Sequence, residues 1–252
     1  MTGTGLTTWR LGLAVAAVCL GSAYTAHRLS FDILPDFARW PAGEERKQAF
    51  FDFVRPLLEA ENRRVLAQRR HVADLRERLA AGALGWWDRG RLARLARTYD
   101  LDPTSLPTDE LLAELWVRVD EVPVSLGLAQ AAKESGWGTS RFAVAGNALF
   151  GERCFSAGCG VVPEARRPGL RHEVRAFATP REAVAGYVNN LNTHRDYQRL
   201  REMRAELREA GEPLTGFELA EALQNYSERR DRYIREVRQL IRSNDLGPVS
   251  SR

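Results

Sequence analysis

Lysine is almost missing from this chain: 35 of its 37 basic residues are arginine, and only Lys47 and Lys133 are lysines. The arginines are spread along segment after segment, so the net charge of +4 describes a mildly cationic surface and not a basic patch. No aromatic-interleaved basic motif and no helix-turn-helix signature occurs, which excludes nucleic acid as an expected partner. Histidine is scarce, and His172 stands apart from the cysteines, so neither a metal centre nor a cofactor is expected. Strand–helix alternation of the kind that builds a parallel sheet is absent, as is any internal repeat. The apolar run from Leu11 to Ala26 falls short of the roughly 20 apolar residues that comfortably cross a bilayer.

What the chain does have is enough apolar residue, 44% of 252, to bury a real core. Arg10 precedes the Leu11–Ala26 run, and His27 and Arg28 follow it, the pattern of an export signal. Gly21-Ser22-Ala23 offers a small-residue cleavage site, which favours a signal peptide over residues 1–28; attachment to the inner membrane through residues 9–26 is the alternative. Cys19, after Ala16-Ala17-Val18, is a poor lipidation site. Export places the protein in the periplasm or cell envelope. There a local disulfide between Cys154 and Cys159, with four residues between them in a loop with glycines, becomes plausible against two unpaired thiols.

Residues 29–43 carry Pro35 and Pro41 without a period, yet Phe31, Phe37 and Trp40 predict that this extended segment packs on the surface of the domain. From Glu44 to about Leu79 a stripe of Phe50, Val54, Leu57, Val65, Val72, Leu75 and Leu79 predicts a long amphipathic helix, bent near Pro56. Gly82 and Gly85 end it. Asp88 is then a candidate N-cap, with Leu92, Leu95, Ala96 and Tyr99 inward and Trp86-Trp87 read as a packing anchor between helices in preference to a sugar platform. Thr108 caps the next predicted helix, Pro123 ends that unit and Ser125 opens another. Past Gly151 a loop with prolines leads to a short alternation, Glu173, Arg175 and Phe177, read as a small β-hairpin. Helices resume at two capping boxes, Thr179-Pro180-Arg181-Glu182 and Thr215-Gly216-Phe217-Glu218, with another start at Asp196 and a last helix from Asp231 to about Ser243. The expected class is mainly α, α+β. A helical extension, 29–106, packs on a second stretch, 107–247, before a short tail, 248–252.

The chemistry centres on Ser125 to Gly151, where a helix ends on Glu134 and Gly136, Trp137 and Gly138 follow at once. Unsatisfied carbonyls at a helix end disfavour an ionised carboxyl, and the neighbouring indole and alanines desolvate it further, so its pKa is expected to rise. A carboxylic acid still protonated near neutral pH suits a glycosidase, which hands a proton to a leaving sugar oxygen.

The string Gln130-Ala131-Ala132-Lys133-Glu134-Ser135-Gly136-Trp137-Gly138, with Asn147-Ala148-Leu149-Phe150-Gly151 at fixed distance, resembles the lysozyme-like peptidoglycan hydrolases of the endo-β-N-acetylglucosaminidase family. Glu45-Arg46-Lys47-Gln48-Ala49-Phe50-Phe51, Gly158-Cys159-Gly160-Val161-Val162-Pro163, His172-Glu173-Val174-Arg175, Asn190-Leu191-Asn192-Thr193-His194 and Tyr226-Ser227-Glu228-Arg229 extend the likeness to the Bax-like branch of that family, over most of Leu34 to Ile241. The resemblance implies a lysozyme-like helical fold with a small β-lobe at a cleft. By the same resemblance Glu134 is the implied catalytic acid and Glu173 the implied second carboxylate, set to orient or deprotonate water; Glu152 and Glu164 rank lower because nothing in the sequence fixes their direction. Tyr226 is implied to line the cleft, with Trp137, Asn147 and Phe150 shaping substrate contacts or the turn beneath them. After Gly151 this chain has Glu152-Arg153, where relatives tend to carry glutamine and tryptophan. The expected activity is cleavage of β-1,4 bonds in peptidoglycan glycan strands on the reducing side of N-acetylglucosamine. A muramidase or lytic transglycosylase is the near alternative, and a non-catalytic envelope protein that only binds glycan the distant one.

Overall fold

The structure, a computed structural model, describes residues 31–164, 166, 169–224, 226 and 230–247. The export segment, Cys19, Ser227-Glu228-Arg229 and the tail from Pro248 lie outside the described residues.

The apolar stripe read in the sequence becomes one helix, α1 (Glu44–Ala80), with Phe50, Val54, Leu57, Val65, Val72 and Leu75 all buried and Pro56 inside it. The segment before it is anchored as expected: Phe37, in a short 3-10 turn, is buried and meets Phe50 and Phe53 edge-on, and Phe31 rests on Phe53. Helix α2 (Trp86–Thr98) starts two residues before the expected cap, because Asp88 caps from inside the first turn, its carboxylate accepting from the Gly85 N–H at 3.1 Å. The packing-anchor reading of Trp86-Trp87 is overturned: both indoles are exposed, at 69% and 67%. Helix α3 (Thr108–Arg118) likewise begins on Thr108 itself, after Pro107, without a side-chain cap; Asp109 and Glu110 supply the favourable charge of its first turn.

The carbonyls at the end of α3 are closed from far along the chain. Arg204, in α7 (Gln198–Glu209), is 1% exposed and donates to the carbonyl oxygens of Val117, Arg118, Asp120 and Glu121 and to Asn192 Oδ1, at 2.8–3.1 Å. A guanidinium with its five fixed donors is suited to such a crowded helix C-terminus. Beside it the buried Asp120 carboxylate takes two bonds from Arg208 and faces Arg69 at 3.4 Å. Burial opposes its charge, but the surrounding guanidiniums outweigh burial and hold the group below the usual carboxylate range.

Helix α4 (Val124–Ser135) is apolar on nearly every side and runs through the centre against α1 and the last helix. Asn62 of α1 brackets the chain just before it, donating to Val122 O at 2.7 Å and accepting from Val122 N. After the short α5 (Arg141–Gly146) the chain makes three brief strands, β1 (Arg153–Cys154), β2 (Gly160–Val161) and β3 (Glu173–Arg175), in an antiparallel sheet with β3 in the middle. The expected hairpin is thus a three-stranded lobe.

The threonine half of each predicted capping box forms, while Glu182 accepts from the Ala178 N–H and Glu218 from the Thr215 hydroxyl in place of the cap's own N–H. Thr179 accepts from Glu182 N at the head of α6 (Pro180–Thr193), with Pro180 first, and Thr215 accepts from Glu218 N at the head of α8 (Gly216–Leu219). Asp196 is not a cap. A 3-10 turn, Arg195–Tyr197, precedes α7, and His194 Nδ1 accepts from the Asp196 N–H. The last helix, α9 (Arg230–Ser243), buries Tyr233, Ile234, Val237 and Ile241. The fold is therefore α-dominant α+β, and its core draws on the 29–106 stretch and the remainder alike.

Candidate active site

Glu134 occupies the last turn of α4, and the backbone turns sharply behind it. Gly136, Trp137 and Gly138 all take positive φ, at 57°, 60° and 76°. Ser135 braces the turn, its hydroxyl donating to Ala131 O at 2.6 Å and accepting from Gly138 N at 2.8 Å. Gly138 is required twice over, by its backbone angle and because a Cβ there would lie 2.3 Å from the Phe37 ring. Trp137 is the strained member, since a left-handed bulky residue costs about 1–3 kcal/mol unless its surroundings impose it. They do: its ring packs edge-on against Phe50 and Phe51, at 6.0 and 5.2 Å. The indole is thus a floor piece tied to α1.

The half-buried Glu134 carboxyl has its pKa raised, by burial first; a hydrogen bond from Tyr233 and the charge of Lys133 pull the other way. Lys133 is itself engaged by Glu236 of α9, so its charge is shared. The Tyr233 bond has a readable direction. Tyr187 donates to Gln130 Oε1 at 2.7 Å, so the Gln130 amide must turn its nitrogen the other way, where it donates to the Tyr233 oxygen at 3.0 Å. With its oxygen accepting, Tyr233 has its proton for Glu134. A buried chain from α6 through α4 to α9 therefore aims one donor at the acid.

Four of the six tyrosines gather here. Tyr226 stacks on Tyr233 at 5.2 Å and lies 5.9 Å from Tyr197, while Phe150 lies flat on Tyr187, 3.9 Å apart and 8° from parallel. Tyr226 donates to Phe150 O at 2.9 Å, so both side chains brace the loop that carries Gly151 past Glu134. Asn147 caps α5 in the left-handed conformation and donates to the carbonyls of Phe177 and Ala178, which joins the turn to the chain after β3. The contacts that Tyr226, Phe150, Trp137 and Asn147 make are with the protein's own backbone and rings.

The two carboxylates beyond Glu134 differ sharply. Glu173, on β3, accepts from Gly158 N at 3.1 Å and Gly160 N at 2.8 Å, bonds that hold its pKa low. It pins the loop that the Cys154–Cys159 disulfide closes, a bridge present with Cα atoms 6.2 Å apart. This geometry ties Glu173 to the lobe's backbone through both of its oxygens. Glu152 is the opposite case. Its side chain is 8% exposed, its Oε1 has no hydrogen-bond partner among the described residues, and Arg175 lies 3.8 Å from its carboxylate. Burial pushes the carboxyl up to about 7 against the pull of Arg175. It follows Gly151, where a Cβ would sit 3.5 Å from Glu134 Oε2, and it faces a pocket of ≈ 390 Å³ with Asn190 and His194. Both acids act electrostatically on Tyr197.

Residues 111–246 match the family model described as mannosyl-glycoprotein endo-beta-N-acetylglucosaminidase, more than half of the chain. The chain belongs to the glucosaminidase family. The matched glucosaminidase region contains Glu134, Glu152, Glu173 and all four tyrosines of the cluster. The chain is also similar to Protein bax of Escherichia coli (strain K12), 32% identical over 217 residues that cover 83% of this chain and 74% of the relative. No solved structure matches the chain. Membership supports a glycan-hydrolysing role in general terms.

Gln130, Tyr187 and Tyr233 are the site residues that sequence reasoning passed over. Gln130 lies four residues before Glu134, one helical turn away, and that spacing was the available signal. The tyrosines gave none, since they lie on other helices.

Proposed function

We propose that this glucosaminidase hydrolyses β-1,4 glycosidic bonds of peptidoglycan on the reducing side of N-acetylglucosamine, with Glu134 as general acid. The observation that carries the reading is the environment of that carboxyl, half-buried with a raised pKa and faced by the one hydroxyl whose proton the Gln130 relay directs at it. A protonated Glu134 gives its proton to the leaving oxygen as the bond to the anomeric carbon breaks. The carboxylate that remains is a better acceptor for the Tyr233 hydroxyl than the neutral acid, so the bond strengthens as charge develops. Water then completes the cleavage.

For the group that takes the water's proton, geometry favours Glu152 over Glu173. Glu152 lines the pocket with Asn190 and His194, and its raised pKa suits a base near neutral pH; Glu173 is held by two backbone N–H groups. Export to the envelope, where peptidoglycan is met, belongs to the same proposal.

General acid catalysis is worth about 10²–10⁴-fold. Glu134→Gln is therefore expected to lower release of soluble fragments from purified sacculi at least a hundredfold with an unchanged circular dichroism spectrum. Full retained activity refutes the assignment. Mass spectrometry of fragments released by the wild type then names the bond. N-acetylglucosamine at the new reducing end supports the proposal, whereas N-acetylmuramic acid or an anhydro product would assign a muramidase or a lytic transglycosylase.

A further inference from the structure

Helix α2 turns one side to the core and leaves an unusual surface on the other. At 100° per residue, Leu92, Leu95 and Ala96 share the buried side, while Trp86, Trp87, Gly90, Arg91, Arg94 and Arg97 fall on the opposite arc, and all six are exposed. The two indoles stack on each other, ring centroids 3.6 Å apart, and a Cβ added at Gly90 would meet nothing within 4 Å. Asp88, the one acid of this helix, is turned inward onto Gly85 N and Arg78. Among the described residues, Arg91, Arg94 and Arg97 form no salt bridge.

We propose that this face of α2 docks on the surface of an anionic phospholipid bilayer. Indoles left in water are costly, whereas at the headgroup level of a membrane the ring is covered and its N–H still finds partners. Arg91 to Arg97 spans about 9 Å of helix, at 1.5 Å per residue, and an acidic leaflet presents phosphates continuously over that length. Each basic side chain near such a leaflet is worth about fivefold in binding. A sugar platform would use the ring faces and would leave the three guanidiniums beside them unexplained. The face also lies far from the bond to be cut. Asp88 of α2 meets Arg78 of α1 at 3.5 Å, while Trp137, beside Glu134, packs on Phe51, 27 residues and about 40 Å back along α1.

The test uses the full chain with vesicles of equal parts phosphatidylglycerol and phosphatidylcholine, and with vesicles of phosphatidylcholine alone. Residues 11–26 are the same in every variant, so their contribution to partitioning cancels in the comparison. Trp86→Ala with Trp87→Ala, and separately Arg91→Gln with Arg94→Gln and Arg97→Gln, should each lower partitioning onto the anionic vesicles at least tenfold. Binding to phosphatidylcholine and release of fragments from sacculi should not change. Wild-type affinity of either variant for the anionic vesicles overturns the proposal. So does a loss of sacculus binding by the tryptophan variant with vesicle binding intact, which would make the face a glycan platform.

Discussion

Replacing Glu152 by glutamine tests the environment assigned to this side chain without reference to any reaction. Its pKa in the folded protein is about 7, against an ordinary value of 4.5. A carboxyl raised in this way contributes stability that is fully present below about pH 4.5 and is lost as pH rises through 7. A tenfold change in proton affinity is worth about 1.4 kcal/mol, so wild type loses about 3 kcal/mol across that window on account of this one group. Glutamine has no charge to bury and keeps nearly the same shape. The groups around it, Arg175 on β3, Tyr187 on α6, Tyr197 and the pocket's His194, are unchanged in the variant. Glu152→Gln should therefore match wild type in thermal stability near pH 4 and exceed it above pH 8. A chain of this size gains roughly 2–4 °C per kcal/mol, which predicts a melting point at least about 5 °C higher in alkali. Calorimetry or circular dichroism melts at the two pH values measure it. A difference that does not grow with pH refutes the reasoning, and a variant less stable above pH 8 would mean that Glu152 is a well-paired anion.

Tyr233→Phe removes the donor to Glu134 and leaves Gln130 without its acceptor. A hydrogen bond to the charged form lowers a carboxyl's pKa, so its loss should raise that of Glu134 and move the alkaline limb of the pH–rate profile upward by about one pH unit, with a lower maximum rate; an unmoved limb would count against the relay. Glu173→Gln should cost about 1–3 kcal/mol in thermal melts by weakening the clamp on Gly158 and Gly160, and should leave most of the activity on sacculi, whereas a hundredfold loss would return Glu173 to the chemistry. Arg204→Met should destabilise the fold by about 3–5 kcal/mol in denaturant titrations, because five acceptors and the Asp120 charge lose a buried partner.

The helices were legible because their evidence is local. Phe50 to Leu79 repeat at helical spacing, and Thr179 and Thr215 each carry their glutamate three residues on. Glu134 was legible for the same reason, standing between an apolar helix and a glycine turn. Tyr233 was not, since it reaches the site from 99 positions away and looks in sequence like any inward residue of a last helix. How Glu152 and Glu173 are engaged was not legible, because side-chain direction in a loop or short strand depends on what folds against it; the Gly158 and Gly160 N–H groups bond Glu173, while Glu152 meets Arg175 at the edge of a pocket. Trp86-Trp87 misled because large aromatics usually pack, and only the position of α2 on the outside of α1 leaves them out.

The relay through Gln130 also sets an order of assembly. Glu134 and its glutamine share α4, whereas the hydroxyl aimed at the acid comes from α9, 99 positions later. The acid meets that donor only once α9 has packed on α4, so the tuned environment of Glu134 belongs to the assembled fold and not to the segment that carries it.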